Sequence, residues 1–88
     1  MFKCYKIYTQ RLHMRWMAGM ISEYFGGFTI YRTAGYWNAK AEKSVVIEII
    51  TDETAAEYKI RQIALKIRGF NKQDAVMVTL NEVNMEIK

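Results

Sequence analysis

The chain has no proline, a single cysteine, a single histidine and no apolar run of the length that crosses a membrane. Each scarcity closes off a class of protein. With Cys4 alone no disulfide framework can form, and a reducing cytoplasm is the economical expectation. A lone thiol in an apolar strand reads as a small buried hydrophobe, and without a partnered base it is a poor nucleophile. With His13 as the one imidazole and no second sulfur, a zinc site lacks ligands. A bilayer-crossing helix needs about 20 successive apolar residues. The first residues also show no basic-then-apolar leader pattern. The expectation is therefore a soluble, cytoplasmic protein without a membrane partner. A phosphate-binding glycine loop is missing too, because Gly26–Gly27 follows a helical segment whereas a dinucleotide fingerprint follows a strand.

What is present describes a small globular chain. Its 88 residues are 51% hydrophobic and 14% aromatic, far from the composition of disorder. Residues 1–88 read as one domain with a thin core, burying roughly 60–65% of the unfolded surface. Apolar content beyond one thin core points to a homo-oligomer. Thirteen basic against nine acidic residues give a formal charge of +4. The basic residues are nonetheless scattered along the chain from Lys3 to Lys88. Arg61 and Arg68 share one helical face, but Glu53, Glu57 and Asp74 lie near them. A solvated surface with no nucleic-acid partner is expected, and a substrate carrying negative charge is compatible with it.

The hydrophobic pattern switches period along the chain. Phe2 to Thr9 is an aromatic and apolar stretch of strand length. Leu12, Trp16, Met20 and Tyr24, with Met17 and Ile21 beside them, predict a helical stripe. Met14, Met17 and Met20 with Trp16 belong to core packing on this reading. Gly26 and Gly27 are expected to end that helix by positive φ, and His13 falls inside it as a surface or packing residue. "FTIYRTAGYW" reads as a second strand with Gly35 as a bend or bulge. "SVVIEII" reads as a third, with Val45, Ile47 and Ile49 on one face and Val46, Glu48 and Ile50 on the other. "NAKAEK" between them suits a hairpin connection. Thr54-x-x-Glu57 predicts a capping box for a second helix that Gly69 stops, with Ala56, Ile60, Ile63, Ala64 and Ile67 facing the core. "AVMVTLNEVNMEIK" alternates through Val76, Val78 and Leu80. It alternates again through Val83, Met85 and Ile87 after a kink at Asn81–Glu82, the second piece reading as an edge or swapped strand. Strand, helix, strand, strand, helix, strand predicts an α+β, ferredoxin-like split βαβ sandwich, one antiparallel sheet with two helices on one face.

Tyrosines and carboxylates are the chemistry-bearing residues that remain. Glu42 lies on the polar lip between two strands, where a core needs no charge, and reads either as a solvated loop residue or as the carboxylate of a site. Glu48 alternates with apolar neighbours and is left to face solvent, pair with a helix lysine or line an intersubunit cavity.

Several segments taken together resemble the phage S-adenosylmethionine (SAM) lyases, formerly called SAM hydrolases. They are "GFTIYRTAGYW", the Glu-Lys-Ser step into "EKSVVIEI", the Ala-rich "AAEYKIRQIALKI" and the closing "QDAVMVT", spanning Gly27 to Val78. The first helix matches the family only in type. The resemblance implies a ferredoxin-like trimer with SAM bound between neighbouring subunits and no cofactor. Glu42 takes the place of the family's functional carboxylate, and Tyr31 that of its functional tyrosine, with Tyr36 the alternative. Around them Tyr36, Trp37, Ala39, Lys40 and Glu48 are expected to line the substrate. It further implies cleavage of SAM to 5'-methylthioadenosine and homoserine lactone in an infected host's cytoplasm, as a counter-defence against SAM-dependent restriction-modification. Two other readings stay open: a non-catalytic trimeric small-molecule binder, and an anti-defence protein that binds a host nuclease.

Overall fold

Alternation places Tyr5, Ile7 and Thr9 of the first strand on one side and Cys4, Lys6 and Tyr8 on the other. The computed structural model, which describes residues 1–84 and Glu86, builds the sheet on that parity. Its elements are β1 (Phe2–Gln10), α1 (Met14–Ser22), β2 (Thr29–Trp37), β3 (Lys40–Thr51), α2 (Ala56–Asn71) and β4 (Met77–Val83). The sheet order is β2-β3-β1-β4 with every pairing antiparallel. This is the expected ferredoxin-like sandwich. Tyr5, Ile7, Val45, Ile47 and Ile49 meet Met17, Met20 and Ile21 of α1 and Ile60, Ile63 and Ile67 of α2 in one buried cluster. Both helices therefore lie on one face. The other face is bare, and Val46, Glu48 and Ile50 point into it, as the alternation of β3 predicts.

Several boundaries differ from the sequence reading. The first helix begins only at Met14, because His13 holds a left-handed φ of 51° at its N-cap. Leu12 is thereby left outside the helix and exposed. At the other end Glu23 and Tyr24 donate to Met20 and Ile21, three residues back. Such a right-handed tightening needs no left-handed residue, and no described glycine has positive φ.

The capping box of α2 does not form. Its N-cap is Ala55, without a side-chain bond, and Thr51 Oγ1 instead accepts the Glu53 N–H at 3.1 Å. Gly69 does not stop the helix, which runs on to Asn71, with Lys72 at φ 54° as the left-handed cap. A polar network accounts for the extra turn. Buried Asn71 meets His13 Nδ1 at 2.8 Å and donates to Gln73 Oε1 at 3.0 Å, which Thr9 also reaches at 2.6 Å. A helix ending at Gly69 would leave these groups unpaired in the interior. Phe70, in the same turn, stacks on Trp16 at 3.9 Å between ring centres.

In the hairpin only Asn38 and Ala39 form the turn, both at positive φ (51° and 64°), the two-residue geometry that matches strand twist. The predicted connection is thus mostly strand, and Ala41, Glu42 and Lys43 belong to β3. Gly35 is no bulge: it pairs in register with Glu42. Its missing side chain leaves room for Ser44, whose Oγ would sit 3.0 Å from an added Cβ. β4 continues unbroken through Asn81 and Glu82, which face Cys4 and Lys3, so the kink is absent. Val83 closes the ladder opposite Phe2, and the predicted continuation through Met85 and Ile87 lies outside the described residues.

Candidate functional site on the bare sheet face and hairpin

Register decides which of the expected site residues meet. Glu42 is a half-buried strand residue on the bare face, opposite Gly35. Gln10 Nε2 donates to its Oε2 at 3.3 Å. The lip reading of Glu42 is therefore corrected, and its carboxylate has an orienting partner that sequence reasoning missed. The ladder brings it there: Gln10 pairs with Ser44, one same-face step away. Trp37 and Lys40 pair across the next same-face step toward the turn, and Trp37 is 67% exposed. Ala39 forms the turn itself. Tyr36 lies on the opposite, helix-side face of β2, opposite Ala41, and is 75% exposed.

Tyr31 belongs to a second group. It faces Val46 on the bare side, and four residues of β3 separate that position from Glu42. At the usual strand rise the separation is about 13 Å, so one copy of the chain holds Tyr31 and Glu42 apart. The Tyr31 hydroxyl donates instead to Glu48 Oε1 at 3.2 Å. Glu48 in turn lies directly across from Lys6. Of the three roles left open for Glu48, pairing with a helix lysine is excluded, because it points away from both helices.

The charge of Glu48 raises the Tyr31 hydroxyl above the ordinary tyrosine range, and the hydrogen bond adds to this. Cys4, buried on the same face, has its thiol raised first by burial and then by the Glu48 charge. Replacing Glu48 by Gln is therefore expected to bring the Tyr31 titration down toward that of a free tyrosine. Phenolate absorbance measured between pH 9 and 12 on the single variant checks it, since loss of an anionic neighbour favours the anionic phenolate. An unmoved Tyr31 titration would remove Glu48 as its partner.

Among the described residues no group of three or more His, Cys, Asp or Glu side chains is placed to hold a metal, and no helix is long and apolar enough to cross a membrane. A groove of about 570 Å³ lies between α2 and β4, floored by Tyr5, Ile60, Ala64, Val78 and Leu80 with Arg61 and Arg68 beside it. None of the expected site residues lines it.

No protein-family model matches the chain, and no curated protein matches it by sequence. Solved structures do match its fold. A DUF3240 family protein from Shewanella baltica superposes with a TM-score of 0.77 at 11% identity, covering 99% of this chain and 94% of that one. A nitrogen regulatory PII-like protein from Thiomonas intermedia, CPII, solved with ADP, AMP and bicarbonate, gives 0.68 at 12%, covering 99% and 94%. A phage SAM lyase in complex with S-methyl-5'-thioadenosine gives 0.64 at 17%, covering 92% and 81%. At these identities what the chain shares with all three is the fold, one that accommodates both a SAM-cleaving enzyme and a nucleotide-binding regulator.

Proposed function

We propose that the chain is a SAM lyase, acting as a homotrimer with substrate held between copies. The observation that carries this reading is an oriented carboxylate, Glu42, beside exposed Trp37 and Lys40 on a protruding hairpin, in a fold shared with a lyase bound to a thioadenosine product. The chemistry asks little of the protein. A carboxylate oxygen of SAM attacks its own γ-carbon as the carbon–sulfur bond breaks. The bonding pair passes to sulfur, turning the sulfonium into the thioether of methylthioadenosine and closing homoserine lactone. No metal, external nucleophile or proton transfer enters the balance. The enzyme has to hold the methionine arm in its near-attack fold and place negative charge beside the sulfonium.

Separation of Tyr31 from Glu42 within one copy fits a site assembled from two, with Glu42 of one copy and Tyr31 of the next on one substrate. The hydroxyl proton of Tyr31 is engaged by Glu48. Its oxygen therefore offers an acceptor, suited to the substrate's ammonium, with the Glu48 charge behind it. Purified protein incubated with SAM is expected to release methylthioadenosine. In oxygen-18 water the first-formed homoserine lactone is expected to carry no solvent label. Homoserine formed ahead of any lactone and carrying solvent label in its hydroxyl would make water the nucleophile and recast Glu42 as a general base with Gln10 as its orienting partner. A second reading is favoured by the PII-like neighbour solved with adenine nucleotides: an adenine-nucleotide binder without turnover. Calorimetric binding of ADP or AMP with no methylthioadenosine formed would select it.

A further inference from the structure

Among the described residues the sheet has β2 and β4 as its edge strands, and they differ in charge and shape. β1 ends at Gln10 opposite Ser44, while β2 and β3 run on together through Trp37 and Lys40. The hairpin thus overhangs the body, with side chains on both faces left uncovered. Its residues 32–43 carry Arg32, Lys40 and Lys43 against one acid, Glu42. Residues 74–83, which hold β4, carry Asp74 and Glu82 and no basic residue. Beside β4, on the helix side, lies the α2–β4 groove, where Val78 and Leu80 are 39% and 46% exposed.

We propose that the overhanging edge of β2 from a second copy of the chain docks along β4, continuing the sheet and seating Tyr36 in the α2–β4 groove. Strand parity dictates the fit. A strand added to an edge keeps each alternate side chain on a common face, so the helix-side residues Arg32, Ala34 and Tyr36 of β2 fall beside Val78, Leu80 and Glu82 of β4. The hairpin's cations then lie along a segment bearing Asp74 and Glu82, with the groove's own Arg61 and Arg68 carried on its α2 wall, and the tyrosine covers the exposed valine and leucine. Both edge strands lose the unpaired backbone that makes an edge a liability. Since β2 and β4 are different surfaces, the contact is head to tail, and a rotation of about 120° per copy closes it into the three-membered ring of the trimer reading, whereas any rotation that does not close would give an open filament. This deepens the trimer reading above and gives Tyr36 an interface role in place of a substrate contact.

The test is sedimentation velocity at micromolar concentration, run beside the SAM assay. Wild type is expected to sediment as a ring, and Tyr36→Ala to weaken association at least tenfold, as loss of a central aromatic anchor does. Arg32→Glu with Lys43→Glu on the hairpin is expected to dissociate it. So is Asp74→Arg with Glu82→Lys on β4, and mixing the two reversed chains is expected to restore assembly. A ring that survives in all three variants overturns the docking while leaving the lyase reading intact. Dissociation and rescue in a protein that never cleaves SAM upholds the docking and removes the lyase reading. A monomeric wild type overturns the docking and the trimer together.

Discussion

Glu42→Gln is expected to leave a folded protein of unchanged assembly whose SAM turnover has fallen by about 10²–10³-fold, the loss typical of one electrostatic contact to developing or transferred charge. The structure makes the variant a clean one. Glu42 is half-buried on the bare face, outside the buried cluster of the sandwich, and among the described residues its carboxylate accepts from the Gln10 side-chain amide at 3.3 Å. A glutamine at 42 keeps the side-chain volume and still presents an acceptor to Gln10, so what is removed is charge. The substrate, a sulfonium that also carries an ammonium, is the party that needs it. Circular dichroism and sedimentation establish the fold and assembly, and methylthioadenosine release gives the rate. Glu23→Gln, removing an exposed carboxylate at the end of α1, is the control and is expected to be silent. A folded, assembled Glu42→Gln protein with wild-type turnover would return Glu42 to the solvated surface.

The fold was legible because its signals are periodic and local. Two-residue alternation in β1 and β3 assigns the core face through Ile7, Ile47 and Ile49, and the i, i+3, i+7 stripe of α2 places Ile60, Ile63 and Ile67. Punctuation was less legible, and for a common reason. Glycine is one way to turn the chain at a helix end, but Lys72 leaves α2 and His13 enters α1 in left-handed geometry without it. In α2 the long-range network of Asn71 outweighs the local preference of Gly69. Local propensity, a matter of about 1 kcal/mol for a glycine, yields to tertiary hydrogen bonds of similar size that would otherwise go unmade inside the core.

The candidate site was legible in its residue types and not in their grouping. Glu42, Tyr31 and Glu48 stand out in the chain as residues the core does not need. Which of them meet is set by register across three strands, and a turn of two residues rather than six moves Glu42 from a loop into a ladder. The Gln10 contact, between residues 32 apart in the chain, depends on β1 and β3 pairing in register from Lys3↔Thr51 to Gln10↔Ser44. Nothing in the neighbourhood of either residue announces it. The signal that could have found it is parity: Gln10, Ser44 and Glu42 all occupy even positions of paired antiparallel strands, as do Lys6 and Glu48.

That parity makes its own large prediction in the core. Ile47→Ala is expected to destabilise the chain by about 2–5 kcal/mol, the range for deleting most of a buried aliphatic side chain and leaving a cavity. Ile47 is fully buried and faces Ile7 on one neighbouring strand and Ile30 on the other, so the sheet itself limits how far its surroundings can close in. A chain of this length has roughly 4–13 kcal/mol of stability to lose at the usual 0.05–0.15 kcal/mol per residue, so the variant approaches the threshold of unfolding at room temperature. Urea denaturation at one fixed protein concentration measures it, the fixed concentration being necessary because association adds to the stability of any oligomer. Val46→Ala is the comparison. Val46 lies one residue away on the bare, half-buried face, so its methyl groups are outside the helix-covered core and the loss in dissociated chains is expected to be smaller. A one-residue slip of β3 would exchange the two residues. If Val46→Ala proved the more costly in dissociated chains, the register that places Glu42 and Glu48 on the bare face would be wrong, and with it every contact assigned to that face.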